Sequence, residues 1–381
     1  QRLKNALRTG DTVARLGGDE FVLLLCDLTQ EQECLPVLER VLGAIAAPLI
    51  LQNRQVTVSA SIGVTIYPGD AMEIENLLKN ADQALYVAKN AGRNRFSFFT
   101  PALQEAAQRR AQMTHDLRLA LASQQFRVVY QPIVELATGA VHKAEALVRW
   151  QHPVRGMIPP MEFIGLAEET GLILNLGHWV LETACAQLAA WQAAGRHGLQ
   201  MAINVSALQL RDPDFPARVA ATVQRHRLLL HTLELELTEV TLLADGEATQ
   251  RAVAALRAAG VRLAVDDFGS GYSSLATLKM LQPDRLKIDR GFVRDLPRSD
   301  GDGALVQAMF GMARALDVEV VAEGVETAAQ RAWLLGCGPH LQQGWLWARA
   351  LPAESLVSLL PALPVPEAVS QGVAPDATSI P

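Results

Sequence analysis

From about residue 112 to residue 361, short apolar runs alternate with longer helix-periodic ones, and few architectures accept such a repeat over 250 residues. The candidate strands are VVYQPIVEL, HKAEALVRW, QMAINVS, LELELTE, VRLAVDDF, RLKID, VEVVAEG and HLQQGWLW. Between them lie helical stretches such as HWVLETACAQLAAWQAAG and EATQRAVAALRAAG, each ending at a glycine suited to a left-handed helix cap. Repeated βα units over about 250 residues are the size of a (β/α)8 barrel. The expected fold is therefore α/β: a TIM-like (β/α)8 barrel over 112–361, preceded by a smaller α+β module at 1–99. A Gln-, Ala- and Arg-rich linker helix is expected at 100–111, and a Pro-, Ala- and Ser-rich tail at 362–381 reads as disordered.

In such a barrel the chemistry sits at the C-terminal ends of the strands. Glu145, Asn204, Glu236, Asp266, Asp267, Lys287, Glu323 and Glu326 each fall inside or just after an apolar strand, where an unpartnered polar group is costly. Singly, each has a plain reading. Glu145 could be an edge residue, Lys287 a solvated one, Glu236 and Glu239 one wet face of a half-exposed strand, and Asp266-Asp267 the start of a polar loop. Their recurrence one unit after another points instead to a shared site. A set of oxygen donors without Cys or His suits hard cations, Mg²⁺ or Mn²⁺. The adjacent Asp266 and Asp267 could each reach a different ion, as in two-metal sites that activate water for in-line phosphoryl displacement.

Composition narrows the partners. Forty acidic residues outnumber 34 basic ones, for a net charge of −6, so no basic face for a nucleic-acid polymer is expected. Cys26, Cys34, Cys185 and Cys337 form no CxxC pair and have no histidine at ligand spacing, which excludes a zinc knuckle and a disulfide framework and suits a reducing cytoplasm. No apolar run approaches the length of a membrane span. The chain opens at Gln1 directly in a helix-like stretch, so an upstream portion is expected, and any sensor or membrane anchor would lie there.

The N-terminal module reads as helix, hairpin, helix, strand and helix. TVARLGGDEFVLLLCDL turns at Gly17, Gly18 and Asp19. VTVSASIGVTIYP reads as one strand, ENLLKNADQALYVAKNAGRNRF as a helix stopped at Gly92, and FSFF closes the module.

Residues 112–361 resemble the EAL phosphodiesterase family, which hydrolyses cyclic di-GMP to pGpG. The resemblance rests on YQPIVELATG, EALVRW, AINVSALQL, LELTE, DDFGSGYSSL, LKIDRGFV, VVAEGVET and QGW. It implies that Glu145, Asn204, Glu236 and Asp266 hold one metal, and that Asp266, Asp267 and Glu323 serve a second. Lys287 and Glu323 would orient or deprotonate the attacking water beside Asp267, and Arg149 would contact a substrate phosphate. Gln343 and Glu326 would complete the surroundings of the metals. Glu239 would anchor the DDFGSGYSS loop, near which the family often pairs barrels into homodimers. A catalytically silent cyclic di-GMP receptor is the other functional class, but such members usually lose metal ligands and none is missing here. The last unit departs from the family in an early Gly336-Cys337 pair, Trp345 and Ala350, which bears on the placing of Gln343.

Residues 1–99 resemble the C-terminal part of the GGDEF diguanylate cyclase family through ARLGGDEF and DQALYVAKNAGRNR. By that resemblance Gly17, Gly18, Asp19 and Glu20 form the turn that approaches GTP, with Asp19 a metal ligand and Lys89 and Arg93 reaching phosphates. Arg8 and Asp11 match the family's RxxD inhibitory site for cyclic di-GMP. The family's first metal-binding aspartate precedes the hairpin, so this stretch alone is not expected to make cyclic di-GMP. In the intact protein, GTP binding could tune the phosphodiesterase.

Overall fold

The computed structural model describes residues 1–359 except 53, 240, 242–245, 270–277, 279–280 and 339–340. The tail expected at 362–381 lies outside the described residues. The chain divides into two compact units, Gln1–His115 and Asp116–Pro381.

In the first unit, β1 (Thr12–Gly17) and β2 (Glu20–Leu24) form the antiparallel GGDE hairpin, with Gly17 paired to Glu20 and Gly18 at φ 51°. The stretch read as one strand over 56–68 is instead divided. β3 (Leu49–Leu51) pairs with β4 (Arg54–Val56), whereas β5 (Ile62–Val64) runs parallel to β6 (Phe96–Phe98). Gly63 gives the physical reason. A Cβ there would lie 1.8 Å from the Ala81 carbonyl oxygen and 2.4 Å from the Leu85 nitrogen, so helix Ile74–Asn90 rests directly on this strand. That close seat ties β5 to the segment that follows the helix.

Helix Pro101–Ala122 is one element, so the linker helix expected at 100–111 continues into the following residues. The second unit then contains β7 (Phe126–Glu135), β8 (Val141–His152), β9 (Gly156–Ile158), β10 (Gln200–Val205), β11 (Leu233–Thr238), β12 (Arg262–Phe268), β13 (Arg285–Ile288), β14 (Glu319–Ala322) and β15 (Leu341–Gln342). Pairing runs β7–β8–β10–β11–β12–β13–β14–β15 and returns to β7, which closes an eight-stranded barrel, while β9 extends β8 outward. The TIM-like barrel is thus present, with one strand reversed. β7 is antiparallel to both neighbours because it joins β8 through the turn at 136–140, far shorter than the crossover that a parallel return needs.

Period-two alternation sorts the barrel side chains. Leu233, Leu235 and Leu237 of β11, like Leu263 and Val265 of β12, face outward and are buried under helices such as Gly246–Ala258. Glu234 and Glu236 face inward, each 1% exposed. Glu236 therefore does not lie on a wet strand face, because the strand is covered on both sides. Around Phe126, the rings of Trp150, Phe163 and Trp179 lie 5.8, 5.8 and 6.0 Å away, forming an aromatic core between strand and helix. No helix among the described residues is long and apolar enough to cross a membrane.

Candidate functional site

Inward residues of β8, β11 and β12, and Glu323 just past the end of β14, converge on Lys287 of β13, while Asn204 of β10 joins the cluster through Glu145. Its ammonium lies 2.7 Å from Glu236 Oε2, 2.8 Å from Glu323 Oε1, 3.1 Å from Asp266 Oδ1 and 3.7 Å from Glu145 Oε2. Glu145 is further gripped by two amides: Asn204 donates to Oε1 at 2.5 Å and Gln343 to Oε2 at 2.6 Å. Gln343 also donates to Gln131 Oε1 of β7 at 3.2 Å, so the reversed strand braces the site as well. Gly344 lets the last unit sit this close. A Cβ there would fall 2.1 Å from the Val325 carbonyl oxygen, and the Gln343 nitrogen bonds the Ala322 carbonyl at 2.9 Å. The Trp345 and Ala350 departures therefore leave Gln343 in contact with Glu145.

Adjacent residues of a regular strand point to opposite faces, yet Asp266 and Asp267 both serve this cluster. The explanation is a register shift between β12 and β13 from Val265 to Phe268, together with Asp267 at φ 52°. This bulge turns the second aspartate back toward the barrel mouth. Oxygens of Asp266, Asp267 and Glu323 consequently lie within 4.8 Å of one another.

The electrostatics follow from five carboxyl groups around one ammonium. Burial opposes the charge on Lys287, but Glu145, Glu236, Glu323 and Asp266 outweigh it and push its pKa well above the ordinary lysine range. Glu145 is buried too, yet Lys287 and the amides of Gln343 and Asn204 hold its carboxyl below the ordinary value. Glu236 is driven well above that range by burial and by Glu145. Burial pushes Glu323 up to about 7, with Lys287 pulling the other way. Asp267 rises to about 6 through burial and the neighbouring Asp266 and Asp289. One ammonium does not neutralise so many acids. Buried Glu236 Oε1 and Gln343 Oε1 also have no hydrogen-bond partner among the described residues. Surplus negative charge, orphaned oxygens and an all-oxygen donor set all fit divalent cations.

Other expected residues lie apart. Arg149, half-buried on β8, donates to the Val148 carbonyl at 2.8 Å, and burial pulls its pKa down. Glu326 is exposed, and no hydrogen bond or ion pair joins its carboxylate to the cluster among the described residues. Glu239 is 4% exposed, with neither carboxylate oxygen partnered among the described residues. Most of the loop it was expected to anchor, 270–277, lies outside them. In the first unit Gly17, Gly18, Asp19 and Glu20 are exposed, as are Lys89 and Arg93, and no hydrogen bond or ion pair joins the turn to either base. Arg8 pairs with Asp11 at 3.3 Å, and Asp11 accepts from the Cys26 nitrogen at 3.2 Å.

The sequence reading missed a second buried charge cluster, Lys143, Glu234 and Arg285, two residues before Glu145, Glu236 and Lys287 on the same strands. The signal was there: in HKAEALVRW, LELELTE and RLKID, the charged residues recur at i and i+2 and so share one strand face.

Comparison with known proteins follows this division. Residues 114–350 match the EAL domain family, and residues 1–95 match the diguanylate cyclase, GGDEF domain family. Two relatives come from Pseudomonas aeruginosa. The bifunctional diguanylate cyclase/cyclic di-GMP phosphodiesterase MucR is 42% identical over 94% of this chain and 52% of its own length. The cyclic di-GMP phosphodiesterase NbdA is 43% identical over 94% of this chain and 46% of its own. The chain thus spans about half the length of these relatives. A solved structure of the PaMucR phosphodiesterase in complex with c-di-GMP superposes with a TM-score of 0.63 at 44% identity, covering 64% of this chain and 99% of that one.

Proposed function

The chain belongs to the EAL domain family, and from that membership we propose that its barrel is a metal-dependent phosphodiesterase that hydrolyses cyclic di-GMP to linear pGpG. The observation that carries this reading is the convergence of Glu145, Glu236, Asp266, Asp267 and Glu323 around Lys287 at the strand ends. Glu145, Asn204, Glu236 and Asp266 would hold one cation, and Asp266, Asp267 and Glu323 a second, with Mg²⁺ or Mn²⁺ as the ions. Bound there, the two cations would lower the pKa of water and stabilise charge on the attacking and leaving oxygens.

The chain's own groups then have distinct work. The Lys287 ammonium, fixed by Glu236 and Glu323, orients the attacking water by a hydrogen bond. The Glu323 carboxylate would take the proton from the attacking water as the new P–O bond forms. The bond from phosphorus to one ribose 3′ oxygen breaks, and that oxygen takes up a proton from solvent water to become the 3′ hydroxyl. Arg149 would meet a non-bridging phosphate oxygen, for which a guanidinium fork is suited. Gln343 and Asn204 keep Glu145 aimed into the site. GTP binding by the GGDEF module, homodimerisation through the barrel and a cytoplasmic location belong to the same proposal.

Incubation of the chain with cyclic di-GMP and Mn²⁺ or Mg²⁺, followed by chromatography, is expected to yield pGpG, and chelation is expected to stop the reaction. Binding of the dinucleotide without product would replace this reading with a receptor. Protons on Asp267 and Glu323 compete with cations, because both pKa values are raised to about 6 and about 7. Mn²⁺ affinity measured by calorimetry is therefore expected to increase as the pH rises from 5.5 to 7.5, and an affinity that falls over this range would contradict the ligand set.

A further inference from the structure

Directly beneath the cation site, toward the N-terminal ends of the strands, the barrel contains a second layer of charge that the proposed hydrolysis does not use. Lys143 is 0% exposed, Glu234 1% and Arg285 3%. Lys143 Nζ and Arg285 Nη1 contact the two oxygens of Glu234 from opposite sides. Arg285 Nη2 reaches Glu319 at 2.7 Å, and Glu319, 59% exposed, closes the layer at the solvent end. Within the barrel this leaves two cations around one carboxylate. Each cation lies two residues along its strand from a member of the site above, about 6.6 Å at the strand rise.

Packing alone does not call for charge in this layer. Buried ion pairs cost desolvation, and apolar side chains of similar volume are commonly as stable or more so. What the charges do have is proximity to a site where five carboxyl groups face one ammonium. Burial pulls the pKa of Lys143 well below the ordinary lysine range, with Arg285 adding to the pull and Glu236 opposing it, and it is the contact with the Glu234 carboxylate that keeps the ammonium charged. We propose that the Lys143–Glu234–Arg285 layer is a fixed counter-charge that sets how tightly the strand-end carboxylates hold divalent cations. It rests on the reading of that site as a cation centre. The three are positioning residues: they touch neither substrate nor ion and act through Glu145, Glu236 and Lys287.

The sign follows from Coulomb's law. A cation beneath the site favours the metal-free, anionic cluster and opposes a dication above it. Glu234 does the reverse. Between a unit charge and a dication about 8 Å apart, at an effective dielectric of about 20, the interaction corresponds to at most about 10²–10³-fold in affinity, which screening by neighbouring charges reduces toward about tenfold.

The test is a calorimetric titration of Mn²⁺ alone into the full chain at pH 8, with Glu145→Gln as the control for the site. Lys143→Met is expected to bind Mn²⁺ about tenfold more tightly than the wild type, and Glu234→Gln about tenfold more weakly. A merely structural role would loosen the site in both variants. Shifts in the same direction, or no shift in either, overturn the proposal. Should Lys143→Met not fold, Arg285→Met is read in its place, with tighter binding expected, and weaker or unchanged binding overturns the proposal. If wild-type binding is untouched by Glu145→Gln, the cation-centre reading itself fails, which is a different result from a wrong sign in the layer beneath.

Discussion

Lys287→Met is expected to lower the stability of the metal-free chain by about 3–5 kcal/mol, the usual consequence of removing one partner from a buried charge cluster. Lys287 is 1% exposed and contacts Glu145, Glu236, Asp266 and Glu323. Without it, the burial of Glu236 and Glu323 is no longer offset by an ammonium, and their pKa values rise further. Groups whose folded pKa is raised contribute stability below their unfolded pKa and lose it as pH rises through the folded value. The deficit of the variant is therefore small near pH 4 and grows toward pH 8. Mn²⁺ should recover part of it, since a ligand that binds only the folded state stabilises by mass action. Turnover of cyclic di-GMP should fall by about 10²–10³-fold even with metal, as expected for loss of a charged group aimed at the reacting oxygens. Chemical denaturation of both proteins at pH 5 and pH 8 checks the first part, and a deficit that shrinks with rising pH would refute it.

Glu145→Ala is expected to abolish measurable turnover, a loss of at least about 10³-fold. The change removes a carboxylate and also strands its partners: the Asn204 and Gln343 amides lose the oxygens they donate to at 2.5 and 2.6 Å. Buried donors left unsatisfied cost about 1–3 kcal/mol each. Both amides would then reorient, and Gln343 would keep only its 3.2 Å bond to Gln131. Product chromatography with Mn²⁺ at several concentrations is the measurement. Wild-type rates restored by high Mn²⁺ would show that Glu145 contributes affinity alone.

The site was legible because strand periodicity and strand ends are local signals. Glu145, Asn204, Glu236, Asp266, Lys287 and Glu323 each sit at a point where an apolar run meets a polar residue, and the fold stacks those points. What stayed hidden is not local. The reversal of β7 depends on the length of one turn. The division of the 56–68 stretch depends on a helix backbone lying against Gly63. The bulge that brings Asp267 beside Asp266 is set by pairing with β13. The Lys143, Glu234 and Arg285 layer was visible as a pattern, but a charged residue inside a strand reads as solvated until the opposite face is known to be covered.

Anomalous diffraction from crystals grown with Mn²⁺ decides whether the strand-end carboxylates form a two-cation centre. Two peaks are expected, one within ligand distance of Glu145, Asn204, Glu236 and Asp266, the other of Asp266, Asp267 and Glu323. A barrel mouth without bound manganese at saturating concentration, with Lys287 still paired to Glu236 and Glu323, would contradict it.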